Sequence, residues 1–448
     1  MMNTPIYDFV RSYAASDISR FHMPGHKGVP LLGCEPLDIT EIAGADELFE
    51  AEGIILESEK NAAALFGTAH SFYSTEGSTL AIKSMLSLVT AKARSEGKKP
   101  LIFAARNAHK AFIYACALLD LEVRWLYGNE AAHLCVCRIS AEEVESALSA
   151  ASEPPSALYL TSPDYLGNIA DIEGIARVCH AYGVPLVVDN AHGAYLKFLT
   201  PSRHPIDLGA DICCDSAHKT LPCLTGGAYL HISKNAEREY LESARETMAI
   251  FASTSPSYLI LQSLDLCNRY MSEGYSERLA TCADKLKHLK EKISALGFSV
   301  ERTEPLKLVI NTAKSGYSGV EFAEHLRLRK AEAEFADGEF VVLMATPETK
   351  DSDLDRLYSA IAEIKPKAPL SEEDLPLCAG EPSELSIREA VFAPSETVRA
   401  DSAVGRVCGA PTVSCPPAVP IVVSGERITR SAAALLSRYG VEYIRVVK

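Results

Sequence analysis

No run of apolar residues in this chain approaches the ~20 needed to span a bilayer. A basic block is missing as well: 44 Lys and Arg stand against 59 Asp and Glu, a net charge of −15. Nucleic acid and anionic membrane surfaces both need clustered positive charge, so neither is expected as a partner. Residues 1–13 lack the charged start and apolar core of a secretory signal. There is no internal repeat and no low-complexity tract. Thirteen cysteines, an odd count, sit at apolar positions such as Cys213 and Cys214. That usage fits reduced thiols and a cytoplasmic setting. Cys135 and Cys137, near His133, are too close together for the paired spacing of a metal site. A strand carrying ordinary cysteines, and no metal, is expected. What is present is a globular composition, 47% hydrophobic and 23% charged over 448 residues. That length suffices for two or three domains with a large core.

The stretch 211–228 reads Asp-Ile-Cys-Cys-Asp-Ser-Ala-His-Lys-Thr-Leu-Pro-Cys-Leu-Thr-Gly-Gly-Ala. Its apolar start predicts a buried strand over 211–215, and Lys219 falls just past the strand's end. Open α/β sheets bind ligands at the carboxyl ends of their strands, so that lysine is well placed for chemistry. The same pattern recurs along the chain. A helix over 54–66 leads to a short strand, then to Gly77-Ser78-Thr79 and a helical run over 80–88. Small hydroxyl residues at a helix start can cap it. The same geometry is an anion site, because free N–H groups and the helix dipole face whatever sits there. A strand over 101–104 precedes His109, and another over 157–161 precedes an amphipathic helix over 172–182. The strand 184–188 ends in Asp189-Asn190-Ala191-His192-Gly193-Ala194. Strand, helix and strand at this spacing form a βαβ unit. An acid at the end of an apolar run needs a positive partner or a shifted pKa. Residues 1–41 read as mostly irregular around Phe21-His22-Met23-Pro24-Gly25-His26-Lys27-Gly28, a tight loop that is either a solvated turn or part of a site.

Ser216, Ala217, His218 and Lys219 resemble the Ser-x-His-Lys signature of fold-type I pyridoxal-phosphate enzymes, in which the lysine forms the Schiff base. That cofactor makes four demands on a protein. An amine must form the imine, which points to Lys219. A carboxylate must keep the pyridine nitrogen protonated, which points to Asp189. Hydroxyls and N–H groups must hold the phosphate, and Gly77, Ser78, Thr79, Ser216 and His218 can supply them. The ring needs a flat partner on one face and a small residue on the other; His109 can stack and Ala191 can pack opposite.

Over nearly its whole length the chain resembles the short form of the ornithine/lysine/arginine decarboxylase family. The likeness runs through Pro24-Gly25-His26, Asp38-Ile39-Thr40-Glu41, Gly77-Ser78-Thr79, Arg106 to Lys110, Asp189 to Ala194, Ser216 to Pro222, Thr254-Ser255-Pro256-Ser257-Tyr258, Gly405-Arg406 and Cys415-Pro416-Pro417. It begins within the first 30 residues, so the receiver-like N-terminal domain of the long forms is not expected. By this resemblance Lys219 is the Schiff-base lysine, Asp189 the pyridinium partner and His109 the stacking ring. His192 lies by the ring and imine, and His218 by the phosphate and substrate α-carbon. The resemblance also implies a homodimer or larger homo-oligomer in which Thr254 and Ser255 reach a neighbour's phosphate. His26, Glu334 and Asp337 are the candidate substrate residues, the two acids as complements to a basic side chain, although a solvated acidic loop explains them nearly as well. Two departures stand out. The family usually reads Asp-Glu-Ala-His-Gly-Ala-His, where this chain has Asn190 and Tyr195 at the second and last positions. The proline motif usually follows Tyr and continues Gly-Ile, where this chain has Cys415 and Ala418-Val419.

The expected architecture is α/β: a large domain of the aspartate aminotransferase type (fold type I) with a mixed, mainly parallel sheet, plus smaller α/β C-terminal domains. The expected divisions are an N-terminal segment 1–45, a cofactor-binding domain 46–275, a small α/β domain 276–365, a proline-rich linker 366–384 and a C-terminal domain 385–448. The implied activity is decarboxylation of arginine, lysine or ornithine with pyridoxal 5'-phosphate, feeding polyamine metabolism. An aminotransferase needs a cationic clamp for the α-carboxylate, which Arg327 or Arg329 could supply, so that reaction and an aldolase or β-eliminating lyase remain alternatives. A non-catalytic binding subunit is a further one, which an intact Lys219, Asp189 and His109 argue against.

Overall fold

Apolar runs that end in polar turns become the strands of the principal sheet. The computed structural model describes residues 1–128, 133–370, 381–382, 384–411 and 417–448. Cys415 and Pro416 of the proline motif, and most of the expected linker (371–380 and 383), lie outside the described residues. Seven strands, β1 (His70–Ser74), β2 (Leu101–Ala105), β3 (Glu122–Leu126), β4 (Ala157–Thr161), β5 (Leu186–Asp189), β6 (Ile212–Asp215) and β7 (Ala228–Ile232), form a sheet in the order β1-β7-β6-β5-β4-β2-β3. The pairs β2–β3 and β5–β6 are parallel, while β7 runs antiparallel to both of its neighbours. The sheet is thus mixed and mainly parallel, as the βαβ spacing predicts. Every residue of β5, β6 and β7 is buried. Strands covered on both faces need largely apolar runs, and these have them apart from Asp189, Asp215 and His231.

The chain divides into two compact units: residues 1–98, 144–160 and 171–277, and residues 99–143, 161–170 and 278–448. In the first unit the helix α1 (Pro5–Ala14) occupies part of the segment read as irregular. Pro5 suits the first helical turn, where its missing N–H has no partner to lose. The tertiary anchor at its start, Asp265, is far away in sequence and gives no local signal: its Oδ2 accepts from the Ile6 and Tyr7 amides at 2.9 and 3.0 Å. Helix α2 (Ile54–Phe66) keeps its expected bounds and closes on Gly67 in the left-handed region, φ 71°. Helix α3 (Gly77–Ser95) has no side-chain cap, so Ser78 and Thr79 stand inside its first turn rather than capping it.

The second unit holds an antiparallel four-stranded sheet in the order β10-β11-β9-β8, made of β8 (Ser299–Val300), β9 (Lys307–Asn311), β10 (Phe335–Ala336) and β11 (Phe340–Met344). The strand expected at 300–303 is not formed as such: β8 is only two residues long, and soon after it the Glu304 N–H donates to the Gly167 carbonyl at 2.9 Å rather than to a strand. Residues 133–137 form a turn, not the expected strand. The Cys135 N–H donates to His133 Nδ1 at 3.2 Å and the Val136 N–H to the His133 carbonyl at 2.9 Å, a local closure that competes with any ladder. A third sheet orders Ser395–Arg399, Tyr443–Val447 and Cys408–Ala410 over its own apolar cluster, which includes Ile421, Leu436 and Val446.

Candidate active site

Asp189 is the last residue of β5 and is only 2% exposed. Its Oδ2 accepts from the Tyr159 hydroxyl at 3.1 Å. Its Oδ1 accepts from the Ala191 amide at 3.2 Å and faces the Cys214 thiol at 3.6 Å. The parallel register sets Asp189 beside Cys214 on β6, and the Asn190 N–H donates to the Cys214 carbonyl at 3.0 Å. The chain then turns, with the Gly193 N–H on the Asn190 carbonyl at 2.8 Å, and carries His192 back over the strand ends. Beyond β6, one helical turn (Ala217–Thr220) presents Lys219. Lys219 Nζ lies 3.1 Å from His192 Nε2. A nucleophilic amine must lose a proton, and an imidazole at hydrogen-bond distance can take it.

The Ser216 hydroxyl donates to the Ser78 hydroxyl at 2.9 Å, which ties the lysine turn to the first turn of α3. Gly77 has φ 68°, a conformation side chains resist, and its N–H donates to the Gly226 carbonyl at 2.7 Å. A Cβ built on Gly77 would meet nothing within 4 Å, so the start of α3 is open. Helix α3 has no side-chain cap and no acid in its first turn, and the Oε1 of Glu76 before it is held by the Ser253 N–H at 2.7 Å. Uncapped amides, the Ser78, Thr79 and Ser216 hydroxyls and the positive end of a 19-residue helix form a donor set suited to a phosphate dianion.

The first unit therefore brings Asp189, Ala191, His192 and Lys219 together, and Ser78 with Ser216. His218 lies beside Lys219, but its Nδ1 is engaged by the Gly227 carbonyl at 3.0 Å. Burial, with a smaller contribution from the Lys219 charge, lowers its pKa and favours the neutral ring. Thr254 and Ser255 are exposed in the loop before the helix Tyr258–Ser272. His26 packs locally, with Nε2 3.3 Å from Asp38 and Nδ1 accepting from the Gly28 N–H at 3.0 Å. Tyr195 is fully buried in the short helix Ala194–Phe198.

In the second unit, His109 is the N-cap of the helix Lys110–Leu119, where Nδ1 accepts from the Ala111 N–H at 3.1 Å. Glu334 is exposed and accepts from the Tyr165 hydroxyl at 2.7 Å. Asp337 is buried. One of its oxygens faces His133 Nε2 at 2.7 Å and the other accepts from the Glu339 and Phe340 amides, each at 2.8 Å. Burial alone would raise its carboxyl, and His133 with the two amides holds it below the usual range.

Residues without a sequence signal complete the first unit's cluster. Tyr159 and Cys214 hold Asp189, and Asp215 holds Asn190 from the next strand. The faint clue was His231, a histidine inside the otherwise apolar strand Ala228–Ile232.

A sequence profile described as Orn/Lys/Arg decarboxylase, major domain, matches residues 4–313. The chain belongs to the Orn/Lys/Arg decarboxylase family. The uncharacterized protein YaaO of Bacillus subtilis is 30% identical over 98% of this chain and 94% of its own length. An arginine decarboxylase of the same organism is 28% identical over 95% of this chain and 91% of its own length. Among solved structures, the constitutive lysine decarboxylase of E. coli shares the fold, with a TM-score of 0.78 at 17% identity over 100% of this chain and 82% of the other. The fold is accordingly that of fold-type I pyridoxal-phosphate enzymes, and the family's cofactor is pyridoxal phosphate. A decarboxylase of this family acts on a basic amino acid. The donor set at α3, the buried Asp189 carboxylate and the Lys219 amine fit that cofactor's phosphate, ring nitrogen and aldehyde in turn. Among the described residues, no helix is long and apolar enough to cross a membrane.

Proposed function

We propose that this enzyme decarboxylates arginine to agmatine, with Lys219, His192 and Asp189 as the working groups at the strand ends. The observation that carries the assignment is the 3.1 Å approach of Lys219 Nζ to His192 Nε2, beside a buried carboxylate on the adjacent strand. When bound, pyridoxal phosphate supplies the electron sink that accepts the pair left by departing CO₂. Asp189, fixed by Tyr159 and Ala191, would hold a proton on the ring nitrogen. Ser78, Thr79, Ser216 and the uncapped amides of the first turn of α3, which opens at Gly77, would hold the phosphate. Ala191 would pack on the ring, and we assign the stacking role to His109. His192 takes a proton from the Lys219 amine, and Lys219 or His218 returns one to the substrate α-carbon. Its lowered pKa keeps His218 neutral at rest and makes it, once protonated, a ready proton donor.

Likeness to the Bacillus arginine decarboxylase along most of both chains supports arginine ahead of lysine or ornithine. Glu334 is the residue we assign to the cationic end of the substrate, because its carboxylate is exposed and bound only by a phenol among the contacts described above. The product would enter polyamine formation in the cytoplasm. Exposed Thr254 and Ser255 suit contact with a second copy's phosphate site, which makes a homodimer the smallest active form in this reading. The test is amine release from arginine, lysine and ornithine offered separately to the cofactor-loaded enzyme. Agmatine from arginine, at a kcat/KM above the other two, is the expected result; cadaverine or putrescine instead would overturn the substrate assignment.

A further inference from the structure

The family pattern has Glu where this chain has Asn190, and the strand beside it explains the change. Asp215, at the end of β6, is fully buried. Its Oδ1 accepts from Asn190 Nδ2 at 2.6 Å, and its Oδ2 accepts from His204 Nε2 at 3.0 Å and His231 Nε2 at 3.2 Å. His204 Nδ1 accepts from the Ile206 N–H at 3.4 Å, which leaves that ring's proton on Nε2, pointing at Asp215. His231 Nδ1 lies 2.8 Å from the Ser71 hydroxyl, itself 2.8 Å from that of Thr68. The three ligating atoms sit within 4.8 Å of one another, the spacing of a metal site, but the His204 proton makes the group a hydrogen-bonded anchor. Burial alone would raise the Asp215 carboxyl; the two histidines outweigh it and keep the group ionised.

Asn190 is locked from the other side as well. A Cβ on Gly193 would lie 1.9 Å from Asn190 Oδ1, so only glycine fits where the amide oxygen rests. A carboxylate at 190 would face the Asp215 carboxylate across a hydrogen-bond distance, and two like charges there cannot both ionise.

We propose that Asp215 is a positioning residue: clamped by His204 and His231, it holds Asn190 and so fixes the turn that presents Asp189 and His192 to Lys219. The amide at 190 and the carboxylate at 215 then form a matched pair, and neither can change alone without loss. The inference rests on the assignment of Asp189, His192 and Lys219 to the cofactor site, and not on the choice of substrate.

The experiment is a swap. In N190D/D215N the amide now at position 215 turns its oxygen to both histidines, and its nitrogen donates to the carboxylate now at position 190. Every bond is kept with the charge moved. Pyridoxal-phosphate affinity and melting temperature are measured for the unaltered chain, N190D, D215N and the swap. N190D should lose roughly ten-fold or more in cofactor affinity, the scale of a charged hydrogen bond. The swap should recover to within about three-fold, the recovery expected when two sites are energetically coupled. Unchanged affinity in N190D, or a swap no better than N190D, overturns the proposal. A swap that restores melting but not affinity makes the pair merely structural and also overturns it. Should N190D not fold, the swap is compared with D215N, and affinity no higher than that of D215N counts against the pair. If the unaltered enzyme releases CO₂ from none of the three amino acids, the substrate assignment fails, while cofactor affinity still decides the pair.

Discussion

Two buried carboxylates in the first unit, Asp215 and Asp265, solve the same problem in opposite ways. Asp215 faces two imidazoles and an amide, and its carboxyl is held well below the usual range. Asp265 faces only neutral donors: the Ile6 and Tyr7 amides and the Ser58 hydroxyl at 2.5 Å. The Tyr73 hydroxyl, 2.7 Å from Ser58 Oγ, and Asn268 Nδ2, 2.7 Å from that hydroxyl, extend the network without adding charge. Burial therefore wins at Asp265 and pushes its pKa up to about 6. At these two sites the difference lies in the partners: Asp215 has two imidazoles able to carry positive charge, and Asp265 has only neutral donors. Asp215, held ionised to lower pH, stands at the end of β6 beside the strand that ends in Asp189. The other ties the N-terminal helix to the scaffold.

The contrast predicts a sharp division between activity and stability. Lys219→Ala should abolish CO₂ release, on the order of 10⁴-fold or more, because no other group can replace a covalent amine. Asp265→Asn should leave kcat within about two-fold, since a scaffold contact far from the chemistry adds independently to stability. Borohydride trapping of the cofactor on the unaltered chain but not on the lysine variant checks the assignment directly. Comparable losses of turnover in both variants would erase the distinction between the two clusters.

The next largest effect is on pH dependence. Folding raises the Asp265 pKa from its ordinary 3.8 to about 6, so the folded state binds this proton more tightly than the open chain. Its contribution to stability is complete below the ordinary value and disappears as pH rises through about 6, a span of roughly 3 kcal/mol. Asparagine keeps an oxygen for the two amides and cannot ionise. Denaturant unfolding of Asp265→Asn between about pH 4 and 7 should therefore lose that fall in stability. Asp215 has the opposite sign: its stabilisation is present above the ordinary carboxylate range and is lost only as pH falls through its lower folded value.

The placement of Lys219 and Asp189 at strand ends was legible because it is local. Lys219 lies one short turn past its strand, and Asp189 ends another, so sequence order alone set both at the sheet's carboxyl edge. The bounds of α2 and the run of β5 were legible for the same reason, since periodicity and burial agree there. The anchoring clusters were not. His204 and His231 reach Asp215 from separate segments, and Asp265 reaches α1 across almost the whole first unit. Such contacts leave no spacing to read. The turn at 133–137 was misread as a strand because Cys and Val favour strands, while the deciding contact is His133 with its own backbone and with Asp337.

Glu334 and Asp337 repeat the comparison on a smaller scale in the second unit. Asp337 is buried against His133 and its backbone turn, whereas Glu334 is exposed with a phenol on it. We expect Glu334→Gln to raise KM for arginine roughly ten-fold with kcat little changed, the signature of lost uniform binding. Asp337→Asn should lower the melting temperature instead, because it leaves His133 without its buried carboxylate partner. Steady-state kinetics beside thermal unfolding of the two variants would tell recognition from support. A KM effect from Asp337→Asn alone would reverse the roles.

The smallest effect falls at Gly77. Alanine there must hold φ near 68°, a strain of ~1 kcal/mol, and its Cβ would touch no protein atom within 4 Å. Stability should therefore drop by the conformational cost alone, with no clash to add to it. The methyl would, however, enter the open space at the start of α3, where the phosphate is assigned. Gly77→Ala should then weaken binding of pyridoxal phosphate more than that of pyridoxal, which lacks the phosphate and does not need the cup. Equal weakening of both ligands would move the phosphate away from α3, and with it the reason for an uncapped helix beside Lys219.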